Sequence, residues 1–367
     1  MLASAWAING RFLSQRVTGV QRVAHELVAA LDRRAAHRSA TDPSPVLLLP
    51  PTVTPPPLSA LPWRHVPGSA HAHVWEQWAL PRAARGLRLI NLCGAAPAFG
   101  APAQACLLHD AAVFDHPEAY GATFGRWYRW LFRHLARSDA RLMTVSGFSR
   151  ERLAAALGVR PERFAVVPLA GEHIRRVAPD TQALSRLGLV GRSFLLAVGS
   201  ANPTKRQADL VLAWRALERR DARLVIVGGG DARVFGATAL AEAPGVVRAG
   251  AVDDPTLRAL YDAAVGLVFP SVYEGFGLPP LEAMACGCPV VAARAASLPE
   301  VCGDAAMLVP PRDPAALADA MRRLLDDAAL RAAMRERGLA RAADFSWDAS
   351  AQALLAALRP DGPGLAQ

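Results

Sequence analysis

The chain reads as an α/β protein of two parallel-sheet domains facing each other across a cleft. Three observations lead there. Its 367 residues exceed one ordinary core, short apolar runs alternate with helical patterns, and that alternation lapses once near the middle. Parallel strands need a crossover between them, and the helical stretches supply it. The lapse spans residues 168–185. It divides the chain into residues 1–175, residues 176–345 and a C-terminal segment 346–367.

Element by element, residues 4–8 predict a strand, a loop reaches Thr18-Gly19, and residues 20–31 carry apolar side chains at helical spacing. Residues 46–49 form a strand that enters a proline-rich loop at 50–57. Residues 87–92, 105–108 and 141–145 are further strands. Ser149 stands as cap or first-turn serine ahead of a helix at 150–157, which Gly158 closes. Past the lapse, strands are expected at 194–198, 222–227, 246–249, 265–269, 289–292 and 308–309. Helices are expected at 207–219, 255–264, 279–285, 314–326, 329–341 and 349–358, with a frayed tail at 359–367. Gly228-Gly229-Gly230 lacks the spacing of a dinucleotide fingerprint and reads as a turn.

Composition narrows the partners. With 52% apolar and 20% charged residues the chain is globular, and a net charge of +9 calls for an anionic partner. No basic block or RNA-binding signature appears, so phosphorylated small molecules and anionic lipid head groups rank ahead of nucleic acid. Cys93, Cys106, Cys286, Cys288 and Cys302 are odd in number and lack paired CxxC spacing, which argues against disulfides and zinc and for a reducing cytoplasm. The start MLASAWAINGR has no basic leader, and no apolar run is long enough to span a bilayer.

The segment from Ser271 to Gly287, SVYEGFGLPPLEAMACG, carries the most chemistry. It follows a strand, passes two glycines and enters a helix whose first turn holds Pro279 and Pro280, where missing amides cost nothing. Gly275 and Gly277 let the backbone approach a ligand, and the amides at a helix start attract anions. Two carboxylates, Glu274 and Glu282, flank this anion-friendly turn; they suit hydroxyl pairs of a sugar or ribose, or else a solvated turn with a first-turn glutamate. Lys205 is the single lysine among 41 basic residues, and it closes the run FLLAVGSANPTK. A compact ammonium on a flexible stem differs from arginine's rigid fork, so its retention in an arginine-rich chain is informative.

These residues resemble the retaining glycosyltransferases of the GT-B fold, specifically the family-4 group of glycosyl and mannosyl transferases, whose signature is E-x7-E. The resemblance is dense over 194–310 and thin before it. It implies two Rossmann-like domains and a C-terminal helix that crosses back to the N-terminal one. It further implies that Glu274 holds donor-sugar hydroxyls, that Glu282 accepts ribose hydroxyls, and that Phe276, Gly277 and Leu278 touch sugar or phosphate through their backbone beside Gly275. Lys205 would meet the diphosphate. Many members carry arginine where this chain has Ser200, so one diphosphate contact is missing or supplied otherwise. Gly19, in Thr18-Gly19-Val20-Gln21-Arg22, is similar to the family's N-terminal loop near the diphosphate, or is an ordinary helix start. His109, in His109-Asp110, is similar to the histidine near the anomeric carbon of mannosyl-transferring members; a structural histidine would look the same. Thr144–Ser149 is similar to a strand-to-helix turn of the family, for which capping suffices.

No D-x-D, HExxH or GK[ST] pattern occurs, so neither metal nor cofactor is expected. The implied activity is metal-independent, retaining transfer of a hexose, with mannose from GDP-mannose as the leading donor. The acceptor is a glycan or polyprenol-diphosphate-linked oligosaccharide of surface polysaccharide. A sugar-nucleotide epimerase and a non-catalytic nucleotide-sugar-binding protein are the alternatives. The segment 125–137, GRWYRWLFRHLAR, mixes aromatics and arginines at helical spacing. It reads either as a helix with a buried aromatic face or as one lying on an anionic membrane surface at the inner face of the cell membrane.

Overall fold

The structure, a computed structural model, describes residues 6–37, 45–69, 71–100, 103–229 and 243–359. Gly230, the first residues of the predicted strand 4–8 and most of the tail 359–367 lie outside that set. The chain divides into two units. Met1–Asp115, Ala122–Leu169 and Trp347–Gln367 form the first; His116–Gly121 and Ala170–Ser346 form the second.

The first unit is built on a seven-stranded sheet in the order β3-β2-β1-β4-β5-β6-β7. Its strands are β1 (Trp6–Asn9), β2 (Val46–Leu49), β3 (Trp63–His65), β4 (Arg88–Asn91), β5 (Gln104–Leu107), β6 (Arg141–Thr144) and β7 (Phe164–Val166). Every pairing is parallel. Burial on both faces explains the unbroken apolar runs, such as Leu47 to Leu49, which are inaccessible. The helix Gly19–Ala35 packs against the C-terminal helix Trp347–Ala357. Arg141 Nη1 donates to the carbonyls of Ala357 (2.9 Å) and Arg359 (2.5 Å), satisfying acceptors that the helix end leaves open.

Three features of this unit depart from the sequence reading. The helix after β6 is Gly147–Leu157, and its N-cap is Ser146, whose Oγ accepts from the amide of Ser149 at 3.0 Å. Ser149 is therefore the first-turn serine of the two alternatives, and the helix starts earlier than expected because the extended cap backbone occurs at Ser146. The strands β3 and β7 are only three residues long, and β3 is an exposed edge without apolar alternation. The helical stretch 72–83 escapes a 3.6-residue reading because its middle, Trp75–Ala79, is a π-turn. Its buried anchors, Trp75 and Leu80, stand five apart instead of three or four.

The second unit has six strands, β8 (Ser193–Val198), β9 (Ala222–Val227), β10 (Val246–Gly250), β11 (Gly266–Phe269), β12 (Val290–Ala293) and β13 (Ala306–Val309). Their order is β10-β9-β8-β11-β12-β13, again all parallel. Taken from its first strand, this is the doubly wound order 3-2-1-4-5-6, with the reversal between β8 and β11. Leu195, Leu224, Ile226 and Val268 from the sheet meet Trp214, Met321 and Leu324 from its helices. The helix after β8 runs Gln207–Ala216, shorter than expected, and Glu218 sits beyond it at φ 51°.

Candidate active site

In a doubly wound sheet the loops leaving the two strands at the reversal part in opposite directions, and the gap between them is where ligands bind. In the second unit those loops follow β8 and β11. The β8 loop carries Lys205 and the β11 loop carries Glu274.

The β8 loop is a built turn. Asn202 Oδ1 accepts from the Thr204 amide and hydroxyl, both at 2.9 Å, and so caps the short 3₁₀ turn Pro203–Lys205. Arg206 then turns through φ 52°, and its guanidinium is taken up bidentately by Asp209 at 2.8 and 2.8 Å, away from Lys205. Gln207 Nε2 donates to the carbonyls of Gly199 (3.3 Å) and Ser200 (3.2 Å), which fixes the peptide at Ser200. Behind them Gly228 sits at φ 109°, and a Cβ there would stand 2.2 Å from the Gly199 oxygen. Only glycine fits, so Gly228 is a close-approach residue.

The β11 loop is stitched to this turn by the Val272 amide, which donates to the Thr204 carbonyl at 2.9 Å. The Ser297 hydroxyl, fully buried, reaches the Phe276 carbonyl at 2.7 Å and the Glu274 carbonyl at 3.0 Å. With both loops fixed, Lys205 Nζ meets Glu274 Oε1 at 2.5 Å. The lysine stem runs beside Gly199, and its ammonium stands 5.6 Å from the Phe269 ring centroid. A cavity lined by Val198, Gly199, Lys205, Gln207, Phe269 and Pro270 opens here.

From Glu274 the chain passes Gly275 and Phe276 to Gly277, the N-cap of helix Leu278–Ala285. Gly277 adopts φ 108°, and a Cβ there would stand 2.8 Å from Leu298 Cδ2. Pro279 and Pro280 bring no N–H, so the anion-attracting end is narrowed to the amides ahead of them, up to Leu278. Phe276 is anchored edge-on against Phe345, centroids 5.8 Å apart.

Glu282, one turn further, is buried. Its Oε2 accepts from the Tyr261 hydroxyl at 3.0 Å, and its Oε1 lies 3.1 Å from His173 Nε2. Burial, and then the Glu282 charge, hold the Tyr261 phenol well above its ordinary range, so the phenol keeps the proton it donates. His173 arrives on the turn Glu172–Arg176. That turn can sit on the helix because Gly171 has no side chain; a Cβ would stand 2.6 Å from the Leu281 carbonyl carbon. Neither His173 nor Tyr261 belongs to a recognisable motif. The available signals were Gly171 in a stretch without periodicity and a tyrosine on the apolar face of the helix Asp254–Ala263.

His109 and Gly19 belong to the first unit. His109 lies two residues beyond β5, and its Nε2 donates to the Leu92 carbonyl at 2.8 Å. Burial pushes the imidazole down to about 4, so at neutral pH the ring is uncharged and Nδ1 keeps its lone pair. Gly19 opens the helix Gly19–Ala35 behind the cap Thr18, whose amide donates to Gln21 Oε1 at 3.3 Å. A Cβ at Gly19 would meet nothing within 4 Å, so packing does not demand glycine there. No local spacing hints at the polar cluster at the carboxyl ends of β1 and β4. There buried Arg11 pairs with buried Glu76 at 3.0 Å, and Asn9 donates to Glu76 (2.8 Å) and Asn91 (3.0 Å). All five cysteines are free; burial pushes the thiols of Cys93, Cys106, Cys286 and Cys302 up to about 12 and that of Cys288 higher still.

Residues 192–327 match the family described as Glycosyl transferases group 1. Over 250 residues the chain is 34% identical to the O-antigen chain mannosyltransferase B of Escherichia coli, which covers 65% of this chain and 66% of that one. Over 326 residues it is 31% identical to a D-inositol 3-phosphate glycosyltransferase of Actinosynnema mirum, covering 80% of this chain and 73% of that one. The aligned stretch is about half to two thirds the length of several curated relatives. Among solved structures, Anabaena Alr3699/HepE in complex with UDP and glucose shares the fold at a TM-score of 0.71 and 18% identity, over 96% of this chain and 98% of that chain. With an identity of 31% sustained over most of both chains and a fold shared end to end, this chain belongs to the group 1 glycosyltransferases of the GT-B fold.

Proposed function

We propose that this protein is a retaining hexosyltransferase that moves a sugar from a nucleotide donor, GDP-mannose first among the candidates, to a glycan or polyprenol-diphosphate-linked acceptor. It would work at the cytoplasmic face of the membrane in surface polysaccharide assembly. The observation that carries this reading is the Lys205–Glu274 pair, set where the second sheet reverses. The mannosyl preference is supported by the mannosyltransferase relative and by His109-Asp110.

In this reading Lys205 lies against the donor diphosphate and Glu274 accepts hydrogen bonds from donor-sugar hydroxyls. As the bond from the anomeric carbon to the leaving oxygen breaks, negative charge collects on the diphosphate. The Lys205 ammonium and the backbone amides of Phe276, Gly277 and Leu278 are donors held ready for that charge; one such donor is worth on the order of a hundredfold in rate. The acceptor hydroxyl attacks from the face that the phosphate leaves and gives its proton to the departing phosphate oxygen, so configuration is retained. No metal enters this scheme. His109, given a place at the catalytic centre by the family resemblance alone, is uncharged at neutral pH and so offers an acceptor at Nδ1 and no acidic proton. Glu282, oriented by Tyr261 and His173, takes the ribose hydroxyls.

A panel of sugar nucleotides tests the proposal. Release of free nucleotide from one donor, abolished by Glu274→Ala, is the expected outcome. Conversion to a second sugar nucleotide would make the protein an epimerase, and binding without turnover would leave it a nucleotide-sugar-binding protein.

A further inference from the structure

The helix Ala122–Ala136 divides its aromatics between two environments. Leu131, Phe132 and Leu135 are buried in the first unit, whereas Trp127 and Trp130 stay 36% and 39% exposed. The expectation of one buried aromatic face therefore holds for only part of the helix. The solvent face carries Arg126, Trp130, Arg133 and Arg137 at spacings of four, three and four, with Trp127 and His134 beside them. The helix contains no carboxylate at all.

The aromatic surface continues beyond the helix. Phe99, 67% exposed, stands 5.7 Å from the Trp130 ring, and Trp127 and Trp130 lie 5.1 Å apart; His134 stacks on Trp130 at 5.4 Å. The loop that carries Phe99 is tied to the helical stretch 72–83 by Gln77, which accepts from the Ala98 amide at 2.8 Å and donates to the Ala96 carbonyl at 3.0 Å. On that stretch Trp78 is 63% exposed beneath the Arg82 guanidinium. Phe99, Trp127 and Trp130 thus form one exposed aromatic surface beside His134 and the arginines of the helix, and Trp78 with Arg82 stands exposed on the stretch tied to the Phe99 loop. Among the described residues, Arg126, Arg133 and Arg137 have no carboxylate partner.

We infer that this face docks the protein onto an anionic phospholipid surface. Contiguous apolar area rimmed by polar groups marks an interaction site, and water alone disfavours leaving indole and phenyl rings exposed. Tryptophan is suited to the membrane interface, where its ring enters the acyl boundary and its N–H stays wet. Arginine's planar fork matches phosphate, and each such residue near the surface adds attraction to acidic lipid. Charge complementarity selects this occupant over a second copy, because pairing two copies of the face would oppose arginine with arginine in a chain of net charge +9. Among the described residues no helix is long and apolar enough to cross a membrane, so the contact is peripheral.

Flotation with phosphatidylcholine–phosphatidylglycerol vesicles tests this. The full chain should float with these vesicles, remain in the soluble fraction with pure phosphatidylcholine, and detach as salt rises. Replacing Arg126→Gln and Arg137→Gln together should lower the partition coefficient on the order of thirtyfold. Trp127→Ser with Trp130→Ser should abolish flotation, while far-ultraviolet circular dichroism and donor hydrolysis stay as in the parent. Because binding and turnover are read separately, an inactive protein that floats still supports docking, and an active one that never floats overturns docking alone. Equal flotation of the variants, or a dimer in sedimentation equilibrium that the tryptophan variant loses, would also overturn it.

Discussion

Lys205 and Glu274 are separated by 69 positions, yet both were legible because each is unusual where it stands: a lone lysine, and the first carboxylate of a spaced pair. Their direct pairing was not legible, since it depends on the Val272–Thr204 bond that draws the two loops together. The stem of Lys205 passes beside Gly199, and its single ammonium sits between the Phe269 ring and the Glu274 carboxylate, where arginine's planar fork would present a different shape. Lys205→Arg should therefore reduce kcat on the order of a hundredfold, as for loss of one transition-state donor, with the melting temperature nearly unchanged. Near-parental turnover in that variant would show that any cation serves. The partners of Glu282 were invisible because nothing in local spacing joins His173 and Tyr261 to position 282. A hydrogen bond to a buried carboxylate is worth about 1.5–3 kcal/mol, so Tyr261→Phe should weaken binding of the donor's nucleoside diphosphate at least tenfold. Titration calorimetry with the 2′,3′-dideoxy nucleotide provides the control. Its affinity should barely change, and equal losses for both ligands would make Tyr261 a stabilising residue only.

At the scale of elements, legibility followed burial. Strands covered on both faces read as apolar runs and were found within a residue or two, as for β8, β9 and β11. The helix Pro314–Asp326, with Asp313 capping the Ala316 amide at 2.9 Å, was read to its ends because the cap and the amphipathic face agree. What failed was structure without a period: the three-residue edge β3, and the π-turn that puts Trp75 and Leu80 five apart. The turn from Glu274 into helix Leu278–Ala285 shows a different case: Gly277 was expected for close approach to a ligand, and its backbone angle and Leu298 demand glycine on their own account. Gly277→Ala must hold a Cβ at φ 108° and within 2.8 Å of Leu298 Cδ2. Left-handed backbone costs an L residue about 1–2 kcal/mol, and displacing Leu298 adds to that. The expected result is a stability loss of about 2–3 kcal/mol in urea unfolding together with a raised KM for the donor, because the same turn presents the Phe276 and Leu278 backbone. A stability loss with unchanged KM would separate the turn from donor binding.

Over the whole molecule, chain order and unit membership part company at the C-terminus. The last helix follows 177 residues of the second unit, from Ala170 to Ser346, yet it is counted with the first. Two kinds of contact hold it there, and their magnitudes differ. Arg33 and Asp348 form a surface pair at 3.2 Å with both side chains largely exposed, and such pairs contribute between nothing and about 1 kcal/mol. Trp347 is completely buried, as are Ala351 and Leu354, and Ser350 donates to the Pro168 carbonyl at 2.5 Å. Truncating a buried tryptophan to alanine costs about 3–5 kcal/mol, so burial decides. In a unit of this size each kcal/mol is worth about 2–4 °C, and Trp347→Ala should lower the melting temperature of the first unit by roughly 10 °C. Asp348→Ala should shift it by no more than about 4 °C, the most an exposed pair supplies. Differential scanning calorimetry measures both. Equal shifts from the two variants would mean that surface charge, rather than the apolar face of the last helix, fastens the end of the chain to the first sheet.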